Sequence, residues 1–455
     1  MALSSAIVIE VRTTGSDNNG GGFKTGATGT DRSQQNGAFA TLTAASVVHT
    51  TTTQINVSLG DFTVSAADVG NLLQITGGTA TPGFYEITVV DVPNNRWTMD
   101  RSVGTAAQTV IGAMGGALLT LGKAGSAPLV DNNKIWIKAG TYLITSATIN
   151  IAGGCFSKTV GVFIEGYNTA RGDLGTKPLL QASGITAFTF ILNTGNSANT
   201  VTNLKIDGAG LTTGRGIQTR HRGYKIEAVN FTNSAFVGDF QTGWYVECSA
   251  TGCSTQPAFL DCNTIGCTAF DNTNIGFGSS GSATPNTHVY SVADTNTGAS
   301  SDGFSSGGAS QTSDRYINCT AYANGRDGFR TIGVRGGTTI NCIAESNGGW
   351  GFNNVNNNGM NYYSCAGFGN ASGELTQGTG VQCVNFNFVT GSGSFFTNAA
   401  GQDFSLNNTA GRGAALKGVG FPGIFPGLST TGYLDIGAAQ VQATGGGSSE
   451  KHHSF

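Results

Sequence analysis

The sequence is poor in charge. Charged residues make up 11% of its 455 residues, and the formal net charge is only -3. Disordered chains combine high charge with little apolar surface, whereas 38% of this chain is hydrophobic, so we expect a well-ordered protein. The chain also has no basic field for gripping phosphates, so nucleic acid is not an expected partner.

Long apolar runs and targeting signals are also missing. No stretch of about 18 or more apolar residues occurs, so a membrane is not an expected partner. The opening segment Met1–Glu10 (MALSSAIVIE) lacks both the basic region and the cleavage site of a signal peptide. We therefore do not expect secretion through a cleaved signal.

The nine cysteines follow no metal-binding or disulfide pattern. They are spread along the chain without CxxC spacing and without nearby histidine clusters. This arrangement fits neither a zinc site nor a dense disulfide scaffold. No metal site and no cofactor are predicted from these residues.

What the chain does have is a repeat. Gly is abundant at 71 residues, and a phrase containing Cys, Asn and Gly-Phe recurs every 23 residues, which is typical of a chain rich in strands and turns. The repeat is seen in Cys267–Phe277 (CTAFDNTNIGF), Cys319–Phe329 (CTAYANGRDGF), Cys342–Phe352 (CIAESNGGWGF) and Cys365–Asn370 (CAGFGN). This period suits three short strands and three turns. It predicts an all-β fold, a single-stranded right-handed parallel β-helix, since the leucine ladder of leucine-rich repeats is absent.

Successive coils of such a helix lie about 4.8 Å apart, so equivalent residues should stack. We expect the cysteines to point inward as small apolar residues, the phenylalanines to form a second internal ladder, and the asparagines to take the left-handed conformation at a turn and hydrogen-bond to one another. Gly328 and Gly351 should occupy positions of positive φ or close backbone approach. The predicted ladder residues are Cys267, Cys319, Cys342, Cys365, Asn324, Asn347, Asn370, Phe329 and Phe352.

The chain divides by composition into five predicted parts. They are an N-terminal arm (residues 1–45), a small β subdomain (46–115), the parallel β-helix (116–400), a C-terminal cap (401–440) and a tail of linker composition (441–455) that is flexible or ordered by a partner. Gly115–Gly122 is the one stretch that we expect to form a short helix, placed to plug the open end of the solenoid.

Several motifs resemble a known superfamily. Ile137–Tyr142 (IKAGTY), Asn203–Gly208 (NLKIDG) and the Asn-Cys coils are similar to the pectate-lyase-like right-handed β-helix superfamily. Phe62–Asn71 (FTVSAADVGN) resembles β-helix proteins of tailed phages, and Leu434–Ala438 (LDIGA) is similar to the closing segment of surface-exposed β-helix proteins. The resemblance implies the fold more strongly than the function, because the superfamily includes lyases, hydrolases, adhesins, tailspikes and structural proteins.

Enzymes of this superfamily use clustered carboxylates, some with Ca²⁺, so calcium stays open as a cofactor. Asp207, Glu227 and Glu247 are spaced 20 residues apart and form the best candidate catalytic cluster, with Arg220, His221 and Arg222 nearby. The three carboxylates need not converge, because Asp207 lies in a predicted turn and the two glutamates lie in predicted strands. We therefore predict no catalytic residue and keep these three as candidates only. Other candidates are the pair Asp302 and Asp327 before Gly-Phe, with solvated turn carboxylates as the alternative, and the tail residues His452 and His453. We expect the single His288 to be a surface residue rather than a base. The aromatics expected to be exposed can stack on sugar rings or pack in the coil or at a subunit contact; they are Trp244, Trp350, Tyr362 and Tyr363.

The leading functional hypothesis is a non-catalytic phage virion protein. It would be a capsid decoration or a tail appendage, homotrimeric and bound to other virion proteins, that presents a rigid surface, with a host-surface polysaccharide as a ligand. The first alternative is a polysaccharide-degrading enzyme, such as a tailspike lyase or glycosidase. The second alternative is a bacterial surface adhesin, which would need an export route.

Overall fold

The computed structural model describes residues 3–47, 51–145, 149–150, 161–187, 189–192, 199–218, 221–238, 243–279, 285–306, 314–332, 337–355, 360–376, 384–418 and 437. The chain forms two compact units, residues 1–185 with 189–206, and residues 186–188 with 207–455. No helix in the described ranges has the length and apolar character that a membrane crossing requires. The predicted tail, residues 441–455, lies outside the described residues.

The first unit contains a closed antiparallel β-barrel. Its strands are Ala40–Val47, Gln54–Asn56, Leu72–Gly78, Gly83–Asp91, Arg96–Met99 and Thr109–Met114. Trp97 is fully buried in the barrel core, and its indole Nε1 donates a hydrogen bond of 3.0 Å to Asp68, in the 3-10 turn Ala66–Asp68. The boundary that we expected between residues 45 and 46 falls inside the first barrel strand.

The first unit also contains parallel strands in three sheets. The first sheet has Ile7–Val11, Lys134–Lys138, Phe163–Tyr167 and Asn199–Thr202, with Gly22–Lys24 antiparallel at its edge; the second has Thr141–Ile144, Leu179–Ala182 and Lys205–Asp207; the third has Ile149–Asn150 and Thr189–Leu192. From Lys134–Lys138 onward, each coil thus contributes one strand to each sheet. The all-β, parallel β-helix architecture is confirmed.

The N-terminal segment is not only an arm. Ile7–Val11 pairs in parallel with Lys134–Lys138, and all five of its residues are buried. Glu10 is tolerated in this buried strand because Arg12 and Arg171 bind its carboxylate at 2.9 and 2.8 Å. The Gly- and Asn-rich stretch that follows Ile7–Val11 led us to predict an arm, but this strand belongs to the first coil.

The short helix lies later than the sequence predicts. It spans Leu121–Gly125, and the hydroxyl of Thr120 caps it by accepting a hydrogen bond of 3.1 Å from Lys123 N. Gly115 and Gly116 have φ values of 66° and 74°, which are incompatible with a right-handed helix. The helix can therefore begin only after these two glycines.

The second unit continues the same three-strand coils. The first-sheet strands are His221–Tyr224, Trp244–Val246, Asn263–Ile265, Thr287–Val289, Arg315–Ile317, Thr338–Ile340, Asn361–Tyr363 and Val384–Phe386. The second-sheet strands are Glu227–Val229, Ser249–Thr251, Thr268–Phe270, Val292–Asp294, Thr320–Tyr322, Ile343–Glu345, Ala366–Phe368 and Val389–Thr390. The third-sheet strands are Arg215–Gln218, Phe236–Val237, Phe259–Leu260, Phe277–Gly278, Phe304–Ser306, Phe329–Thr331, Trp350–Asn354 and Gly373–Thr376.

Identical side chains stack inside these coils. Neighbouring rings of the phenylalanine stack lie 4.7 to 4.9 Å apart and within 17° of parallel. Its members are Phe236, Phe259, Phe277, Phe304, Phe329 and Phe352. Cys319, Cys342 and Cys365 lie over one another at the inner corner between the first and second sheets, and Cys267 holds the same position in an earlier coil; all four are fully buried with free thiols.

The asparagines form a continuous ladder of buried side chains. Each amide Nδ2 donates to the Oδ1 of the asparagine in the next coil, at 2.7 to 2.9 Å. The same Oδ1 also accepts from the backbone N–H of the donating asparagine, as Asn347 Oδ1 does from Asn324 N. The members are Asn272, Asn296, Asn324, Asn347 and Asn370. Each rung also donates to a backbone carbonyl, as Asn347 does to Ala321 at 3.2 Å, so the ladder satisfies buried polar groups of neighbouring coils.

The backbone conformation expected for these asparagines is wrong. The left-handed residues are those one position earlier, Ala323, Ser346 and Gly369, with φ of 50°, 59° and 67°. The asparagine itself must point its amide into the corner, and the residue before it makes the bend. Gly328 does not have positive φ; its role is close approach, since an added Cβ would lie 2.6 Å from the carbonyl oxygen of Gly351.

The C-terminal segment packs on the side of the second sheet. The hairpin Phe396–Asn398 with Asp403–Leu406, and the 3-10 turns Ala399–Gly401 and Gly413–Leu416, cover the outward residues of that sheet. Phe395, Phe396, Phe404 and Leu416 share a core with Ile343 and Ala366. In the described residues, the segment thus buries a lateral face.

Replacing Asn347 by Ala should lower the free energy of unfolding by roughly 3 kcal/mol, because the buried amide donor of Asn324 and the carbonyl of Ala321 lose their partner. Asn361→Ala, on an outward half-buried position, should change it by less than about 0.5 kcal/mol. Denaturant titration of both variants is the measurement. Equal losses in the two variants would contradict a structural role for the ladder.

The described cysteines should resist alkylation in the native protein. Burial raises the pKa of Cys253 to about 12 and raises the pKa of Cys262, Cys267 and Cys342 well above the ordinary value, so the reactive thiolate is scarce as well as inaccessible. Iodoacetamide treatment at pH 8, followed by peptide mass spectrometry, should label these residues only in denaturant. Labelling of Cys319 and Cys342 at the same rate in both conditions would show that the interior is open.

Candidate functional site

The three carboxylates predicted as a cluster occupy three different positions in their coils. Asp207 ends a second-sheet strand, Glu227 begins the second-sheet strand Glu227–Val229, and Glu247 lies at the corner after Trp244–Val246 with a φ of 52°. All three are half-buried. Their side chains therefore do not share one position along the stack.

Local contacts also hold two of these carboxylates. Asp207 Oδ1 accepts hydrogen bonds from Asn230 Nδ2 at 3.0 Å and from Ala209 N at 2.9 Å. Glu247 Oε2 lies 3.7 Å from Lys225 Nζ, which belongs to the same corner of the preceding coil. Arg220 lies outside the described residues, as do His452 and His453, and Arg222 is exposed on the first sheet.

Asp302 and Asp327 belong to an ion-pair network. Arg326 binds both oxygens of Asp302 at 2.7 and 2.6 Å, and Asp327 accepts from Asn353 Nδ2 at 2.7 Å. Asp302 is fully buried, and this burial raises its pKa although Arg326 favours the charged form. The guanidinium of Arg326 binds both oxygens of the Asp302 carboxylate. Because the two residues lie in successive coils, this contact joins those coils.

His288 lies inside the solenoid rather than on the surface. Its ring is 1% exposed, stacks on Tyr316 at 5.6 Å, and has Nδ1 at 2.9 Å from the hydroxyl of Thr264. Burial lowers its pKa to about 3, so the ring is neutral at physiological pH. The surface position expected for this histidine is wrong, because it takes the inward position that Tyr245 and Tyr316 occupy in other coils.

The sequence reasoning missed a pair of corner carboxyls, Asp261 and Asp314. Asp314 is 1% exposed and accepts a hydrogen bond of 2.8 Å from Asn286 N, while its Oδ2 has no partner among the described residues. Burial, with a smaller contribution from the charge of Asp261, raises the pKa of Asp314 to about 7. The signal in the sequence was Asn or Asp at the start of a first-sheet strand, directly before it at Asn286 and Asp314 and as its first residue at Asn199.

The four candidate aromatics separate by exposure. Tyr362 is 1% exposed and faces the interior, where its ring meets Phe352 at 5.7 Å. Trp350 is half-buried and begins a third-sheet strand, while Tyr363 is half-buried on the outward side of the first sheet. Trp244, at 37% exposed, is the most accessible and also lies on the first sheet.

The outward face of the first sheet in the second unit carries a regular row of polar and aromatic side chains, which we call the outer row. Parallel register places one member in each coil, about 4.8 Å from the next. Its described members are Arg222, Trp244, Asn263, Thr287, Arg315, Thr338 and Asn361. Two members are cations and none is acidic, so the row can stack on a ring, donate hydrogen bonds and attract an anionic ligand.

A second row of apolar residues runs beside the outer row. It lies two residues further along each strand and consists of Tyr224, Val246, Ile265, Val289, Ile317, Ile340 and Tyr363. All but Val289 are half-buried. The face therefore combines an apolar strip with polar edges over seven coils.

No cofactor site is evident in the described ranges. Within them, no three or more His, Cys, Asp or Glu side chains are grouped to hold a metal ion. Calcium as a cofactor therefore stays a prediction from the sequence.

Comparisons with known proteins find no matching family model and no matching curated protein. Among solved structures, the chain is similar to pectate lyase Pel9A, with a TM-score of 0.48, 16% identity, and coverage of 71% of this chain and 91% of that one. It is also similar to ORF18 of Geobacillus virus E2 (TM-score 0.35, 12% identity, 57% and 53% covered) and to the AlgE4 A-module, a mannuronan C-5 epimerase of Azotobacter vinelandii (0.34, 14%, 61% and 77%). Each likeness concerns the fold alone.

Asp314→Asn should stabilise the protein at alkaline pH. The folded-state pKa of about 7 lies above the ordinary value of 3.8, so the folded protein holds the proton more tightly and wild-type stability falls as the pH rises between these values. The variant lacks this dependence and should be more stable by up to roughly 4 kcal/mol at pH 8, with the gap closing towards pH 4.

The measurement is the free energy of unfolding of both proteins from pH 4 to pH 8. His288 has the opposite effect, since its lowered pKa costs stability as the pH falls below 6.5, but it is present in both proteins and cancels in the difference. Parallel pH profiles for wild type and variant would rule out a buried protonated Asp314.

Proposed function

We propose that this protein is a non-catalytic attachment protein of a phage virion that binds an extended polysaccharide along the outer row. The observation that carries the proposal is the outer row itself, which presents one outward polar, basic or aromatic side chain in each of seven successive coils with no carboxylate among them. A linear polymer of similar units suits a linear, regularly spaced set of contacts.

The chemistry of the row fits sugar rings. Trp244 offers an exposed aromatic face, on which the apolar side of a sugar can stack. Arg222 and Arg315 are exposed cations that can pair with acidic sugars, while Asn263 and Asn361 can donate to and accept from hydroxyl groups. The phenylalanine stack lies behind this face, where its rings meet the inward Tyr316 and Tyr362 of the first sheet, and it holds the row rigid, which reduces the entropy lost on binding.

The virion setting rests on a sequence feature, the segment Phe62–Asn71, which resembles β-helix proteins of tailed phages. In this proposal the protein is a homotrimer that contacts other virion proteins as a capsid decoration or tail appendage. Cryo-electron microscopy of purified particles should show copies of the chain at symmetric positions. Recovery of the chain only as a free monomer in lysate would contradict the virion role.

Binding of host-surface polysaccharide should depend on the outer row. In pull-down or biolayer measurements, Trp244→Ala and Arg315→Ala should each weaken binding at least tenfold, because each loses a direct contact worth about 1.4 kcal/mol or more. Arg330→Ala, which removes the same charge from the third sheet, is the matched control and should bind as wild type does. Equal weakening by both arginine variants would indicate non-specific charge attraction.

A polysaccharide-degrading enzyme is the second candidate function. The observation that favours it is the pair of half-buried carboxylates Glu227 and Glu247, which keep part of their surface open to a substrate, as a catalytic carboxyl group must. Incubation with capsular and pectic polysaccharides, followed by assays for reducing ends and unsaturated uronates, tests this function. Product that disappears in Glu227→Gln or Glu247→Gln would replace the attachment proposal.

A further inference from the structure

The first unit contains a cavity of about 630 Å³ that the proposed function does not use. It lies between the barrel strands Leu72–Gly78 and Gly83–Asp91 on one side and the short helix Leu121–Gly125 on the other. Its volume falls in the range of roughly 300–1,000 Å³ that small-molecule sites occupy.

One polar group in the cavity wall has an unfilled hydrogen-bonding capacity. Gln74 is only 2% exposed, and its Nε2 donates to the carbonyl oxygen of Asp17 at 3.1 Å. This bond fixes the orientation of the amide, and the other atom, Oε1, is buried with no partner among the described residues. A buried acceptor without a donor costs about 1–3 kcal/mol, so a ligand that supplies an O–H or N–H here recovers that energy.

The charged side chains that line the cavity are both cations, Arg101 and Lys123. Arg101 is held in place, because it donates to the carboxylate of Asp100 and to the carbonyl of Phe84, and its guanidinium lies 4.5 Å from the centre of the Tyr85 ring. Lys123 Nζ lies 5.5 Å from the ring centre of Phe84 and has no salt bridge to any described residue. With Asp100 offsetting one charge, the wall has one net positive charge, which suits a monoanion.

The rest of the polar wall consists of small hydrogen-bonding groups. Asn18, Thr76, Thr81 and Ser126 are all exposed, and their amide and hydroxyl groups can both donate and accept. Such groups match a ligand with several hydroxyls. The rings of Phe84 and Tyr85 are nearly buried, at 4% and 3% exposed, which leaves a mostly polar wall.

We propose that this cavity binds an acidic monosaccharide unit of the hexuronate class. Its carboxylate pairs with Lys123 and Arg101, and one of its hydroxyls donates to Gln74 Oε1. The same chemistry is offered by a free hexuronate and by the terminal unit of an acidic polysaccharide. The site lies in the first unit and is separate from the outer row.

The test uses the full-length protein and isothermal titration with D-glucuronate, with D-glucose as the neutral ligand of the same ring size. Glucuronate should bind at least tenfold more tightly than glucose. Lys123→Met should remove this preference, while Lys205→Met, which deletes a half-buried lysine elsewhere in the first unit, should preserve it. Gln74→Leu should weaken both sugars, with circular dichroism and the thermal midpoint used to verify that the barrel is folded.

An oligouronate arm distinguishes the two sources of the ligand. Tighter binding of a tetramer than of glucuronate, with the gain lost in Lys123→Met, supports a polysaccharide end in the cavity, and equal binding supports a free sugar. No heat of binding with glucuronate, or the same affinity in wild type and Lys123→Met, overturns the proposal. The preference for glucuronate is read from Lys123→Met and the binding of polysaccharide along the outer row from Arg315→Ala, so failure of this site and failure of the outer row are read from different variants.

Discussion

The parallel hydrogen bonding between successive coils is the constraint on which the rest of the second unit depends. It holds equivalent residues about 4.8 Å apart, so a side chain's nearest neighbours are the residues one period before and after it. A residue type is then favoured when it can bind a copy of itself. Phenylalanine does so by ring stacking, with neighbouring rings 4.7 to 4.9 Å apart, and asparagine does so through its amide, which both donates and accepts.

This self-stacking explains how a narrow solenoid can bury so many polar groups. The amide of each ladder asparagine meets another amide and a backbone carbonyl, so burial leaves few unmet hydrogen bonds there. Where the repeat is broken, the pairing is incomplete. Asp314 has one oxygen without a hydrogen-bond partner among the described residues, and the hydroxyl of Tyr316 also lacks one there. Burial therefore raises the pKa of both groups, since little offsets the cost of burying the charged form.

The same geometry limits where function can lie. Inward residues such as His288 and Tyr362 are sealed in the interior, and carboxylates at the corners, such as Asp302, are engaged by neighbouring coils. The accessible positions in the second unit are the outward sides of the sheets, and in the described part of the chain the C-terminal segment covers part of the second one. The outward sides of the first and third sheets are left, and the outer row lies on the first of them, while the barrel of the first unit supplies a separate cavity.

The sequence by itself determined the repeat, and with it the stacking of Cys319 on Cys342 and of Phe329 on Phe352, because a fixed period in a parallel solenoid translates directly into neighbours in space. It could not determine which residue bends at a corner, since Ala323 and Ser346 take the left-handed conformation beside an asparagine that would tolerate it better. It also could not place Ile7–Val11 in the first sheet, the helix at Leu121–Gly125, or the two cations beside Gln74 in the barrel cavity. Those features depend on contacts between segments far apart in the chain that follow no period, and only the tertiary structure decides them.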